Sequence, residues 1–204
     1  MELTLLGYFR SSSTWRVRIA LAWKGLAWES RPVHLLQGEQ HADAHRALNP
    51  MQQVPVLLVD GEPVAQSVAI LELLEELVPA PALMPEGALD RARVRQMVEI
   101  VNSGIQPLQN LRTMQRLGSL GVEPDAVQAW SREWIAEGFA ALETLVTRFG
   151  GACCFGDAVS LADVMLVPQM FNARRFAVDI EAHPALCRVE QHLLALPAFH
   201  ETKP

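Results

Sequence analysis

Residues 54–67 read VPVLLVDGEPVAQS: an apolar, β-branched run, the dipeptide Asp60-Gly61, a second short run, and then Gln66-Ser67. Asp-Gly between two such runs is the strongest short-range signal for a two-residue hairpin, because both central positions of that turn need positive φ. After Ser67 the apolar Ala69, Ile70, Leu73, Leu74 and Leu77 alternate with acidic Glu72, Glu75 and Glu76 at helical spacing, with Ser67 in the place of an N-cap. The stretch therefore predicts strands over 54–59 and 62–65 and a helix from 67. Val54-Pro55 puts proline at the first position of a strand, where its missing N–H costs least. Most X-Pro bonds are trans, but a cis bond, expected here, would turn the Val54 backbone outward to pair with an extended peptide ligand.

Upstream, residues 3–6 form a strand and residues 15–24 a helix, whose Val17, Ile19, Ala20, Leu21 and Trp23 surround Arg16 and Arg18. Lys24-Gly25 supplies the positive charge and glycine that end a helix. A second strand follows over 28–35, and a short polar helix over 40–48 is closed by Asn49-Pro50. The order βαβ, then ββα, describes a small mixed sheet: a parallel crossover joined to an antiparallel pair. Downstream, Pro79-Ala80-Pro81 and Pro85-Glu86-Gly87 make a linker that cannot continue a helix. Beyond it only helical patterns occur, at 89–103, 106–117, 124–149, 161–172 and 184–195. Two domains are expected, an α/β domain over 1–80 and an all-helical domain over 88–204. Within the latter, Ser160-Leu161-Ala162-Asp163 resembles a capping box with Asp in the usual Glu place, which makes Asp163 a folding device rather than a catalytic acid.

Composition narrows the function. The net charge is −6 with basic residues scattered along the chain, so there is no footprint for a nucleic-acid backbone. No apolar run approaches the roughly 20 residues of a membrane span, and no charged-then-apolar leader precedes the first strand, so a cytoplasmic enzyme is expected. The three cysteines, Cys153, Cys154 and Cys187, form neither a disulfide framework nor a CxxC motif, and read as structural thiols with no metal site.

Two places could carry chemistry besides Val54. Residues 9–16, FRSSSTWR, set four hydroxyls and two guanidinium groups at a strand-to-helix turn. Hydroxyl donors at a helix N-terminus stabilise an anion, and a thiolate is one. The same run also suits plain capping and turn chemistry. A serine nucleophile is disfavoured, since no GxSxG elbow or local base accompanies it. At Gln66-Ser67, backbone N–H groups and a hydroxyl converge where a carboxylate would be attracted, although Ser67 as a simple cap fits equally well.

Taken together these stations resemble the glutathione transferase superfamily, and FRSSSTWRVRIALAWKG is similar to the signature of its zeta class, the maleylacetoacetate isomerase family. ALNPMQQVPVL, the AQS before the third helix, GIQPLQN, FGDAVSLADVMLVPQ and NARRF, with VD after it, resemble that class too, so the likeness covers nearly the whole chain. It implies a glutathione transferase fold: a thioredoxin-like N-terminal domain (βαβ-ββα) and an all-α C-terminal domain, with glutathione as cofactor. By position, Ser11 would bond the glutathione sulfur, with Ser12 and Ser13 lining the same turn. Gln40 and Val54 would hold the middle of the tripeptide, and Gln66 with Ser67 its γ-glutamyl end. Gln106, Asn110, Leu111 and Arg112 would contribute from the helical domain. Ser13 stands where the family usually has cysteine, so any role tied to that thiol is absent.

The implied activity is cis–trans isomerisation of maleylacetoacetate to fumarylacetoacetate in tyrosine and phenylalanine breakdown, by addition of a thiolate, bond rotation and expulsion. Because the substrate is a dianion, Arg10 and Arg175 are candidate carboxylate partners, ahead of Arg112 and Arg174. Maleylpyruvate isomerisation, action on α-haloacids, and a non-catalytic protein of the same fold are the alternatives, and the retained Ser11 argues against the last. A homodimer is implied by resemblance.

Overall fold

The computed structural model describes residues 1–204, which divide into two compact units: Met1–Ala82 with Leu196–Pro204, and Leu83–Ala195. The first begins with β1 (Leu3–Gly7), α1 (Ser12–Trp23), β2 (Glu29–Pro32), two 3-10 turns (Leu35–Gln37 and Glu39–His41) and α2 (Asp43–Leu48). It continues through β3 (Val56–Val59), β4 (Glu62–Ala65) and α3 (Ser67–Leu77). The strands form one sheet in the order β2-β1-β3-β4. β1 runs parallel to β2 and antiparallel to β3, and β3 pairs antiparallel with β4. Asp60 and Gly61 have φ of 50° and 90°, as the hairpin reading requires. Leu3, Leu5, Val56 and Leu57 of the sheet are buried, as are Val17, Ile19, Ala20 and Leu21 of α1 and Ile70, Leu71 and Leu74 of α3. Burial of this apolar surface is what holds the unit together.

Several boundaries differ from expectation for identifiable reasons. α1 begins at Ser12 rather than 15, because Ser11 accepts the Thr14 N–H at 3.2 Å and the serine run itself becomes the first turn. Arg16 is fully buried, so α1 has no solvent stripe along that side. Lys24 is the C-cap residue, and its buried ammonium bonds Glu75 at 2.7 Å and the carbonyls of Val78 and Pro81. The helix expected over 40–48 is interrupted: Gly38 sits at φ 78° and Ala42 is extended, which leaves a 3-10 turn at Glu39–His41 before α2.

The second unit contains α4 (Ala88–Glu99), a π-helical turn (Ile100–Ile105), α5 (Leu111–Ser119), α6 (Pro124–Phe149), α7 (Leu161–Arg175) and α8 (Pro184–Leu194). The helix expected over 106–117 starts five residues late, since Asn110 is its N-cap, accepting the Arg112 N–H at 3.1 Å. The π turn packs on α6, where a Cβ added at Gly138 would lie 2.3 Å from both Cγ1 and Cδ1 of buried Ile105. Gly138→Ala gains about 0.5–1 kcal/mol in helix propensity but costs about 1–3 kcal/mol in overpacking. A net loss of about 1 kcal/mol is expected, read as a fall of about 2–4 °C in the thermal midpoint.

After α8 comes α9 (Pro197–His200), a short helix beyond the last helical pattern and within the stretch 88–204 expected to form the helical domain. Residues 196–204 instead group with the first unit, where α9 packs on α1 and the buried Trp15 indole N–H donates to Thr202 Oγ1 at 2.9 Å. No helix is long and apolar enough to cross a membrane.

Candidate active site

Strand register gathers the three expected stations at one end of the sheet in the first unit. Leu6 pairs with Val56 and Val56 with Ala65, so the end of β1, the start of β3 and the end of β4 lie side by side. The Tyr8–Ser11 turn, Val54 and Gln66-Ser67 follow or precede those strand ends directly.

Ser11 is the N-cap of α1, half-buried, with φ −72° and ψ 119°. Its oxygen accepts from Thr14 N–H, which leaves its O–H available to donate at the positive end of the helix. Ser12 and Ser13 lie inside the first turn and are buried, at 6% and 9% exposure. Arg10 is exposed: its guanidinium lies 5.3 Å from the Phe9 ring centroid and 5.9 Å from that of Tyr8, and touches the Tyr8 hydroxyl at 3.4 Å. No carboxylate pairs with it.

Val54-Pro55 is cis. Val54 precedes the first ladder pair of β3, and its N–H and C=O make no bond to the turns around them. The preceding carbonyl, of Gln53, is held by His45 Nε2 at 3.0 Å and Asn49 Nδ2 at 2.9 Å. Gln40 is buried, with its amide nitrogen 3.1 Å from His41 Nε2 and its Oε1 buried without a partner. His41 Nδ1 in turn lies 2.8 Å from Gln52 Oε1, which ties Gln40 to the residues leading into Val54.

Ser67 departs from its expected place. The N-cap of α3 is Gln66, at φ 74°, and Ser67 is the first helical residue, with no capping hydrogen bond from a side chain. A positive φ at a non-glycine residue leaves no mark in the sequence, so sequence alone places the cap one residue late. The Ser67 hydroxyl oxygen accepts from buried Arg16 Nη1 at 3.2 Å, which joins the N-terminal half of α1 to the start of α3. The free N–H groups at that helix start, together with the orphaned Gln40 oxygen and the unused Val54 backbone, suit an extended anionic peptide.

In the second unit Gln106, Asn110 and Leu111 are half-buried and Arg112 is exposed, all in or beside the turn between the π segment and α5. That turn is braced by Trp130 Nε1 donating to the Leu108 carbonyl at 2.9 Å and by Gln109 donating to Gln169 of α7 at 2.9 Å. Arg174 forms a two-pronged pair with Glu190 at 2.6 and 2.5 Å, which occupies it structurally. Arg175 is exposed in the last turn of α7 and touches Asn172 Oδ1 at 3.3 Å. Sequence reasoning missed His41, His45 and Asn49; only the Asn49-Pro50 helix stop was visible.

The cysteines offer no activated thiol. Burial, reinforced by Asp163 and Asp157, pushes Cys153 up to about 12, and burial raises Cys154 well above the ordinary thiol range. All three are free, and no group of three or more His, Cys, Asp or Glu side chains is placed to hold a metal.

Residues 1–76 match the family model "Glutathione S-transferase, N-terminal domain". Maleylacetoacetate isomerase of Dictyostelium discoideum is 45% identical over 205 residues, spanning 100% of this chain and 94% of the relative. The crystal structure of maleylacetoacetate isomerase from Anaeromyxobacter dehalogenans 2CP-1 with bound GSH in its active site is 50% identical, with a TM-score of 0.91 over 100% of this chain and 95% of that one. A holo structure of maleylpyruvate isomerase, a bacterial zeta-class glutathione S-transferase, is 41% identical with a TM-score of 0.95, covering 98% and 96%. With full-length relatives at this identity, and a sheet and helical unit that superimpose on theirs, the chain has the glutathione transferase fold and belongs to the zeta-class glutathione transferase and maleylacetoacetate isomerase family.

Proposed function

We propose that this chain is a glutathione-dependent cis–trans isomerase that converts maleylacetoacetate to fumarylacetoacetate, a step of tyrosine and phenylalanine breakdown. The observation that carries the proposal is Ser11: a half-exposed hydroxyl at a helix N-terminus whose oxygen is occupied by Thr14 N–H and whose proton is free to donate. Bound glutathione supplies a soft thiolate nucleophile for the conjugated alkene. Ser11 donates to that sulfur, with Ser12 and Ser13 completing the turn around it. Gln40 and the Val54 backbone hold the middle of the tripeptide, and Gln66 and Ser67 its γ-glutamyl carboxylate. By resemblance to the family, Gln106, Asn110, Leu111 and Arg112 of the second unit are further candidates for glutathione binding. Arg10, which has no carboxylate of its own to pair with, is the candidate partner for a substrate carboxylate, and Arg175 of the second unit is a separate candidate for the same role.

The enzyme is proposed to act in the cytoplasm as a homodimer, the latter carried by family membership and checked by sedimentation velocity. Maleylpyruvate is the second candidate substrate, favoured by the likeness to maleylpyruvate isomerase at a TM-score of 0.95. The test is retention on immobilised glutathione followed by parallel isomerase assays with the two cis substrates. A higher kcat/KM for maleylacetoacetate is expected. Higher activity on maleylpyruvate would replace the substrate, and no isomerisation of either would overturn the proposal.

Ser67→Ala should weaken glutathione binding by about 1–2 kcal/mol, the scale of a charge-assisted hydrogen bond. Calorimetric titration measures it, and an unchanged affinity in a folded variant would remove Ser67 from the carboxylate site.

A further inference from the structure

We propose that His41 is a positioning residue: it fixes which face of the Gln40 amide meets glutathione, and its protonation reverses that face and weakens binding. The inference rests on the assignment of Gln40 to glutathione made above. Its ground is the chain of contacts Gln40 Nε2 to His41 Nε2 at 3.1 Å and His41 Nδ1 to Gln52 Oε1 at 2.8 Å. A neutral imidazole has one N–H and one lone pair. Both contacts are satisfied together when Nδ1 carries the proton and donates to the Gln52 oxygen, while Nε2 accepts an N–H from Gln40. Gln40 is 9% exposed, and this arrangement turns its nitrogen toward His41 and leaves Oε1 as a buried acceptor with no partner. A buried acceptor of that kind calls for a donor. The peptide N–H groups of glutathione are donors, and Gln40 is expected to accept one.

Adding a proton to His41 converts Nε2 into a donor facing the Gln40 amide nitrogen, another donor. The amide must then rotate, so its oxygen turns to His41 and its NH2 group meets the ligand N–H. Affinity is therefore full while His41 is neutral and falls as the pH drops. The charged and titratable side chains on the elements packed about His41 are His34, Glu39, Asp43, His45 and Arg46. Glu39 accepts the His34 N–H, Arg46 pairs with Asp43 and touches the His41 carbonyl, and His45 bonds the Gln53 carbonyl. None of them bonds the His41 ring.

The experiment titrates the full chain with S-methylglutathione, which has no thiol to ionise, at pH 7.0 and 5.5. Peptide carboxylates near about 3.5 and amino groups near about 8 do not change charge appreciably between these values. The wild-type Kd should rise about five-fold on acidification, and His41→Leu should start about five-fold weaker at pH 7.0 and change less than about two-fold. His41 is exposed, so the variant keeps its core, and a thermal melt verifies this. A wild-type Kd that does not move, an acid loss retained in His41→Leu, or a His41→Leu affinity equal to wild type at pH 7.0 would each overturn the positioning role. Gln40→Met separates the levels: if it leaves the Kd unchanged, the assignment of Gln40 to glutathione fails and the inference with it. If it weakens binding while His41→Leu does not, only the role of His41 fails.

Discussion

Ser11→Ala is expected to raise the pKa of glutathione held by the enzyme and to lower turnover roughly ten-fold or more, with a smaller loss in glutathione affinity. A free thiol with a pKa of about 8.5 is only a few per cent ionised near pH 7, so the first unit of lowering raises the thiolate roughly eight-fold and a second unit about three-fold more. The hydroxyl of Ser11 is placed for that task because Thr14 N–H takes its oxygen and leaves its proton to donate. The same substitution removes an N-cap and should cost about 1 kcal/mol of stability, so a modest fall in the thermal midpoint accompanies the catalytic loss without causing it. Arg10→Ala should do a different kind of damage. Its guanidinium rests on Tyr8 and Phe9 with no acid beside it, so its loss should raise KM for the dicarboxylate about ten-fold and leave the thiol titration unmoved. Ultraviolet titration of the thiolate with steady-state rates reads both effects. If Ser11→Ala keeps full activity and an unchanged thiol titration, Ser11 is only a cap. Ser12 and Ser13, buried at 6% and 9% exposure, would then have to donate from inside the helix turn.

What could be read from the sequence follows from how local its causes are. The β3–β4 hairpin was legible because Asp60-Gly61 states its own backbone requirement, and α6 because proline opens it and 26 residues keep one period. The serine run was ambiguous by nature: the same hydroxyls can precede a helix or form its first turn, and only the Ser11–Thr14 bond decides. The π turn over Ile100–Ile105 has no periodicity signal of its own, and its Ile105 packs into the space that Gly138 leaves. Trp15 and Thr202 meet across 187 positions, a pairing that no periodicity marks. In the candidate site, the resemblance pointed to the groups expected to touch ligand but not to those that orient them. His45 and Asn49 fix the Gln53 carbonyl, and His41 fixes Gln40, through contacts that exist only once the turns are folded.

Asp163→Ala is expected to cost about 3–5 kcal/mol of stability, a large share of the roughly 5–15 kcal/mol of a typical protein. The fully buried carboxylate accepts Cys154 N–H at 2.7 Å, Ser160 N–H at 2.8 Å and the Ser160 hydroxyl at 2.7 Å, so alanine leaves three buried donors without a partner at the start of α7. Each orphan costs about 1–3 kcal/mol. Asp163→Asn keeps the size and one acceptor but turns an NH2 toward a donor, and should fall between alanine and wild type. The pair also gives a pH signature. Burial pushes the Asp163 carboxyl above the ordinary aspartate range, against the opposing pull of the Cys154 and Ser160 donors. The native state therefore keeps its proton to higher pH than the unfolded chain does. Through this group stability is fully present below the unfolded value, about 3.9, and declines as pH rises through the raised folded value. The asparagine variant has no such decline, so the wild-type-minus-variant difference in unfolding free energy should shrink with rising pH across that window. Denaturant titrations from pH 4 upward measure it. Loss of turnover in a folded Asp163→Ala protein of unchanged stability would instead make Asp163 part of the chemistry, and the capping account of this acid would have to be given up.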